Sequence, residues 1–111
     1  MKVNIGIEEN NCKGVGELLS VVLANENVLY VKLQNYHWNV VDRNFGPLHQ
    51  LFEEQYKLIR DWIDEIAERI RYLGCNAPGT MGEFLKLSTL EEEQPGQYPD
   101  APHMLLNLLA D

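Results

Sequence analysis

The sequence has only two cysteines, few basic residues and no long hydrophobic run. Cys12 and Cys75 are far apart in the chain and form no Cys-x-x-Cys pair, so we expect two reduced thiols. No apolar stretch approaches the roughly 18 residues that a membrane span needs. The amino terminus, MKVNIGIEENNCK, has no apolar core like that of a signal peptide. These absences predict a cytoplasmic protein that has no membrane partner.

Positive charge is scarce, with 9 Lys and Arg residues against 17 Asp and Glu residues, for a net charge of −8. Non-specific affinity for DNA comes mostly from Lys and Arg contacts to phosphates, so this balance disfavours direct binding to DNA. Residues 1–13 are predicted to be an N-terminal tail, and their acidic residues balance their lysines, so they are no basic arm. The acidic excess suits a protein that attracts cations.

One long amphipathic helix is predicted from Phe45 to Leu73. Gly46 and Pro47 open this stretch, and Gly74 follows its end. Its apolar residues recur at spacings of three and four, which is typical of a helix with one buried face. They are Leu48, Leu51, Phe52, Tyr56, Ile59, Ile63, Ile66, Ile70 and Leu73.

Four side chains of the types that bind metals lie beside this apolar stripe. His49, Glu53, Asp64 and Glu68 fall at roughly 0°, 40°, 60° and 100° on the helical wheel, so they share one face. Glu53 and Asp64 are separated by about 16 Å along the helix axis at about 1.5 Å per residue. Metal–ligand bonds are only about 2.0–2.2 Å long, so one chain cannot hold one metal ion with both carboxylates.

Two copies of the helix would bring these residues together. Positions 49 and 68 have their midpoint between residues 58 and 59, and positions 53 and 64 have the same midpoint. In an antiparallel pair crossing there, His49 and Glu53 of one subunit face Glu68 and Asp64 of the other, and two equivalent sites form. The alternative is that the shared midpoint arises by chance, because Glu and Asp are common on solvated helix faces.

A first helix is predicted from about Gly14 to Asn39, and it ends close to His49. His37 is in its last turn, and residues 40–46 are short enough to join two antiparallel helices. His37, His49 and Glu53 can therefore converge within one chain. The predicted apolar stripe of this helix consists of Val15, Leu18, Leu19, Val22, Leu29, Leu33 and Tyr36.

Shorter helices are predicted in the remainder. Thr80 and Glu83 form a capping-box pattern for a helix at 81–87, and Ser88 offers a second, weaker start. Residues 91–100 read as a loop. Asp100 is the expected N-cap of a last helix, with Pro102 in its first turn. That helix stops inside its own apolar pattern, so we expect the sequence to be incomplete at its carboxyl terminus.

These motifs resemble those of the Dps family, the small dodecameric ferritin-like proteins of bacteria and archaea. The similarity covers residues 14–111 and is densest in NYHWNV (35–40), FGPLHQLFEEQY (45–56) and DEIAERIRYLG (64–74). It implies an all-α, ferritin-like four-helix bundle. Here that bundle would include the first two long helices, a short connecting helix and the start of the third. Residues 14–111 would then be one incomplete ferritin-like domain.

The resemblance also implies a function and a ligand set. The iron ligands of the family map onto His37, His49, Glu53, Asp64 and Glu68, with the site shared across a two-fold axis. Iron is the implied metal, in a di-iron or mono-iron site between subunits, with zinc as a substitute. The implied activity is a ferroxidase that oxidises Fe(II), preferably with hydrogen peroxide, and stores the ferric product, protecting the cell from oxidative stress. The implied assembly is a homo-oligomer of two-fold dimers, and a dodecamer for the full-length protein.

The sequence departs from the family pattern at several points. Glu53 stands where the family often has Asp, and a longer side chain shifts the metal position. The Glu-x-x-His pair of larger ferritins and the lysine-rich arm of some Dps proteins are absent from this sequence. Two alternatives to the ferroxidase remain: a DNA-compacting structural protein with a vestigial metal site, and a helical interaction module without metal.

Overall fold

Two long antiparallel helices dominate the computed structural model, which describes residues 5–111. Helix α1 covers Glu9–Asn39 and α2 covers Phe45–Tyr72, followed by the short helices α3 (Met81–Leu87) and α4 (Ala101–Ala110). Both α2 and α3 pack against α1. No strand occurs in residues 5–111, which confirms the all-α prediction, and none of the helices there is long and apolar enough to cross a membrane.

Helix α1 begins five residues earlier than the sequence predicted. The predicted start near Gly14 is wrong, since Glu9 to Lys13 are already helical. Glu8 is extended and has no capping side chain, so local capping does not explain the early start. Cys12 is buried in this first turn, and its packing stabilises a turn that lacks a sequence signal. Residues 1–4 of the predicted tail lie outside the described residues.

The buried face of α1 also differs from the predicted stripe. Val15, Leu18 and Val22 are 44%, 70% and 43% exposed, so assigning them to the core was wrong for the described part of the chain. The face that meets α2 and α3 instead carries small residues in this half of the helix. They include Cys12, Gly16 and Ala24. Small side chains let the helices approach closely, and interiors favour such dense contacts.

Helix α2 matches its prediction closely, and its last turn fixes the chain direction. Gly74 has a φ of 85°, and its N–H donates to the carbonyl of Arg71. The N–H of Cys75 donates to the carbonyl of Ile70 at 3.3 Å, which completes a Schellman motif. This motif turns the chain back toward α1. Cys75 is thereby brought against the amino-terminal end of α1.

The hydrophobic core lies between α1 and α2 in two clusters. One cluster, near the metal-ligand candidates, contains Leu33, Tyr36, Val40, Phe52, Ile59, Ala101 and Met104. The other contains Leu23, Ala24, Ile70 and Phe84, and lies toward the opposite end of the hairpin. The core thus fixes α1 and α2 along their length, so that residues at their ends keep a defined relation.

The two short helices begin as predicted. Thr80 Oγ1 accepts the N–H of Glu83 at 3.2 Å and donates to Glu83 Oε1 at 2.8 Å, which confirms the cap. Asp100 Oδ1 accepts the N–H of His103 at 3.0 Å, which confirms the second N-cap. The weaker helix start at Ser88 is wrong: its hydroxyl donates to Asn25 Oδ1 at 2.7 Å instead.

Glu26 is a partly buried carboxyl group whose charge is unfavourable. Among the described residues, its Oε1 has no hydrogen-bond partner. Burial raises the pKa of Glu26 above its usual 4.5, and the neighbouring charge of Glu65 raises the pKa further. Well below pH 4.5 the group is protonated in both the folded and the unfolded chain, so its ionisation does not lower the free energy of unfolding. As the pH rises through the folded pKa, ionisation at this site lowers the free energy of unfolding.

Glu26→Gln is therefore expected to raise the free energy of unfolding at pH 7, and the gain should vanish near about pH 3, where the folded and the unfolded chain are both neutral at this position. Urea unfolding at the two pH values measures the difference. Glu17→Gln is the control, because Glu17 is an exposed residue of the same helix. An equal gain at both pH values would show that the charge of Glu26 is not the cause.

Candidate metal centre

Two histidines lie face to face at one end of the helical hairpin. His37 is in the last turn of α1, and His49 is in the second turn of α2. Their ring centroids are 3.6 Å apart, with an angle of 17° between the planes. The short connection between the helices brings them together, as the sequence predicted.

Each histidine is held by the backbone of the other. His37 Nδ1 lies 2.6 Å from the carbonyl oxygen of His49, and His49 Nδ1 lies 2.6 Å from the carbonyl oxygen of His37. A carbonyl oxygen only accepts hydrogen bonds, so both Nδ1 atoms must carry the proton and donate. In the neutral ring, the lone pair is then on Nε2. Both rings are therefore fixed in the tautomer that binds a metal through Nε2.

Aromatic neighbours fix the ring positions further. Phe45 stacks on His49, with a centroid distance of 4.9 Å and an angle of 23°. Tyr56 meets His37 edge-on, with centroids 5.5 Å apart. His37 is only 7% exposed, whereas His49 is partly exposed. The pair is thus shielded on its inner side and open toward the surface of α2.

Glu53 is one turn beyond His49 on the same helix. Its carboxylate forms an ion pair with Lys57 at 3.0 Å. The hydrogen bond and charge of Lys57 hold the pKa of Glu53 below 4.5, and the nearby His37 and His49 lower it further. Glu53 is therefore an ionised carboxylate one turn from His49, and it is paired with Lys57.

Asp64 and Glu68 are not brought to this cluster within one chain. Both are exposed on α2, and Asp64 is eleven positions beyond Glu53, or about 16 Å along a straight helix. Across residues 5–111, no group of three or more His, Cys, Asp and Glu side chains is close enough to hold a metal ion. A single chain thus brings His37 and His49 into contact. The predicted convergence of Glu53 with them is not complete in one chain, since the three side chains do not form such a group there, and Asp64 and Glu68 lie farther along α2.

Several contacts of this site were missing from the sequence-based prediction. The positions of Phe45 and Lys57 carried a usable signal, since each is four residues from a ligand candidate. The reciprocal bonds between histidine rings and carbonyl groups had no signal, because they depend on how the two helix ends approach each other.

Comparison with known proteins matches this chain to one protein family and to several relatives. The family described as a ferritin-like domain matches residues 16–111. An uncharacterized low temperature-induced protein of Nostoc sp. is 44% identical over 110 residues, which is 99% of this chain and 61% of that protein. The DNA protection during starvation protein of Mycolicibacterium smegmatis is 37% identical over 87 residues, which is 78% of this chain and 48% of that protein. The chain therefore spans about half to three-fifths of the length of these relatives.

The fold has a close counterpart among solved structures. The crystal structure of the DPS protein from Vibrio cholerae O1 has a TM-score of 0.91 and 30% identity, over 99% of this chain and 69% of that one. That protein is described as a member of a broad superfamily of ferritin-like diiron-carboxylate proteins. The predicted ferritin-like fold is thus confirmed.

Proposed function

Because the chain belongs to the Dps family of ferritin-like proteins, we propose that it oxidises and stores iron at sites shared between two subunits. His37, His49 and Glu53 of one subunit would bind Fe(II) together with Asp64 and Glu68 of the partner subunit. Hydrogen peroxide is the proposed oxidant, and protection from oxidative damage is the proposed biological result. The proposed assembly is a homo-oligomer of two-fold dimers in the cytoplasm, with a dodecamer as its complete form.

The single observation that carries this proposal is the reciprocal bonding of the histidine rings. Metal-binding histidines usually donate their second ring N–H to a carbonyl or carboxylate, which fixes the ring and leaves the other nitrogen free. His37 and His49 both have this arrangement. Two ordered imidazoles and a carboxylate form a mixed nitrogen and oxygen set that suits Fe(II).

Charge supports the shared character of the site. In the proposed antiparallel pair, Glu53 faces Asp64 of the partner subunit, and two carboxylates opposite each other repel unless a cation lies between them. The exposure of Asp64 and Glu68 on α2 leaves them free for such a contact. Binding of Fe(II) would then stabilise the pair of subunits as well as fill the site.

The chain's residues define the proposed chemistry. His37 and His49 bind through Nε2, and their carbonyl partners hold the rings in place. Glu53 exchanges its ion pair with Lys57 for the Fe(II) substrate, so Lys57 is released to solvent. Two Fe(II) ions each give one electron to a peroxide molecule. The peroxide also takes up two protons, and two water molecules form. No hydroxyl radical leaves the site in this two-electron reduction.

The alternative of a DNA-compacting protein has less support. The chain carries a net charge of −8, which disfavours contact with the phosphates of DNA. No observation in residues 5–111 favours a DNA surface over the metal site.

His49→Ala is expected to lower the rate of Fe(II) oxidation by peroxide by at least about 100-fold, since even residues behind the ligands cost about 10–100-fold when changed. Stopped-flow absorbance of the ferric product measures the rate. His103→Ala is the matched control, because the His103 side chain is 69% exposed and pairs with Asp100 away from the site. Equal rates in the two variants would refute the proposed role of His49.

A further inference from the structure

The only two cysteines of the chain meet at the hairpin end opposite the histidine pair. Cys12 is in the first turn of α1, and Cys75 follows the last turn of α2. Cys75 Sγ lies 3.9 Å from the carbonyl oxygen of Cys12, although 63 positions separate them in the chain. Both are free thiols. The proposed iron chemistry uses neither residue.

A glycine on α1 makes this close approach possible. A Cβ atom at Gly16 would lie 2.7 Å from Cys75 Sγ and 3.3 Å from Cys75 Cβ, which is too close for a side chain. Cys75 thus occupies the space that a side chain at position 16 would take. Cys12 is one helical turn earlier on the same face, about 6 Å away along α1. The Schellman motif at Gly74 holds Cys75 in this position.

The two thiols differ in their access to solvent. Cys12 is 4% exposed, and its Sγ donates weakly to the carbonyl of Ile7 at 3.9 Å. Cys75 is partly exposed at the edge of the second core cluster. A small oxidant therefore reaches Cys75 before it reaches Cys12. A disulfide would require the Cys75 side chain to rotate and the first turn of α1 to shift until the two Cβ atoms are about 3.5–4.5 Å apart.

We propose that Cys12 and Cys75 are an oxidative modification site, at which hydrogen peroxide converts the two thiols into one disulfide within the chain. Cys75 is the residue oxidised first, and Cys12 resolves the product. The disulfide joins the first turn of α1 to the end of α2. This reaction requires no iron and is separate from the proposed ferroxidase.

The reaction balances with a single peroxide molecule. The thiolate of Cys75, having lost its proton to solvent, attacks one peroxide oxygen; a sulfur–oxygen bond forms and the oxygen–oxygen bond breaks. The departing hydroxide takes up a proton and becomes water, leaving a sulfenic acid on Cys75. The sulfur of Cys12 then attacks the sulfur of Cys75, and the hydroxyl group leaves with the proton of Cys12 as the second water. Two thiols are oxidised and one peroxide is reduced to two waters.

The test uses metal-free protein treated with hydrogen peroxide. Thiol titration should show that both thiols disappear together, and non-reducing peptide mass spectrometry should find one Cys12–Cys75 cross-link within the chain. In Cys12→Ser, a sulfenic acid on Cys75 should accumulate and react with dimedone. In Cys75→Ser, Cys12 should remain a thiol at the same peroxide exposure. Cross-links only between chains, or oxidation of Cys12 at an unchanged rate in Cys75→Ser, would overturn the proposal.

A pair of glycine variants tests the contact itself. Gly16→Ala should slow disulfide formation several-fold, because the new methyl group takes the space of Cys75 Sγ. Gly14→Ala is the matched control on the same helix, since a Cβ at that position meets nothing within 4 Å. Equal rates of disulfide formation in the two variants would contradict the role given to the close packing at Gly16.

Discussion

Subunits that carry His49→Ala and subunits that carry Asp64→Ala should each lose fast Fe(II) oxidation, by at least about 100-fold, when they are assayed alone. When the two are mixed and allowed to exchange subunits, oxidation should return to about one quarter of the wild-type rate. Half of the randomly formed dimers are mixed. In each mixed dimer one site takes both halves from unchanged residues, and the other site loses both.

A site within one chain cannot show this recovery, because every chain in the mixture carries one lesion. Subunit exchange must be demonstrated separately, for example by mass spectrometry of isotopically labelled subunits. A mixture of His37→Ala and His49→Ala is the matched control. Both lesions fall in the same half-site, so no mixed dimer contains an intact site and no recovery is expected. Proven exchange without recovery in the first mixture would refute the shared site.

Phe52→Ala should lower the free energy of unfolding by about 3–5 kcal/mol, the usual cost of removing a large aromatic side chain from a core. Phe52 is fully buried, and its ring packs on Tyr36 with a centroid distance of 5.9 Å. The neighbouring Leu51 is 38% exposed on the same helix, so Leu51→Ala should cost less than about 1 kcal/mol. Denaturant unfolding at one fixed protein concentration compares the two variants. Similar losses would contradict the burial assigned to Phe52.

The sequence predicted the parts of the fold that have local signals. The spacing of apolar residues gave the bounds of α2, and Thr80 and Asp100 marked the starts of α3 and α4. The buried face of α1 was predicted incorrectly in its first half. That helix is apolar on more than one side, so periodicity alone does not decide which side meets α2. Close packing decides it, and the small Gly16 and Ala24 carry almost no hydrophobic signal.

The sequence predicted part of the candidate site. The short connection between helices predicted that His37 and His49 would meet, and the structure places their rings in contact. The tautomer imposed by the two carbonyl groups was not predictable, because it depends on atomic positions at two helix ends. The parts assigned to Asp64 and Glu68 remain predictions, since a single chain does not bring these residues to the histidine pair.

Anomalous X-ray diffraction from crystals grown with Fe(II), or with Zn(II) as a stable substitute, tests the shared site most directly. We expect an anomalous peak bonded to Nε2 of His37 and His49 and to the carboxylate of Glu53, at about 2.0–2.2 Å. Asp64 and Glu68 of the partner subunit should complete the ligand set across a two-fold axis. A metal ion held by the residues of one chain alone, or bound only elsewhere on the molecule, would contradict the shared site.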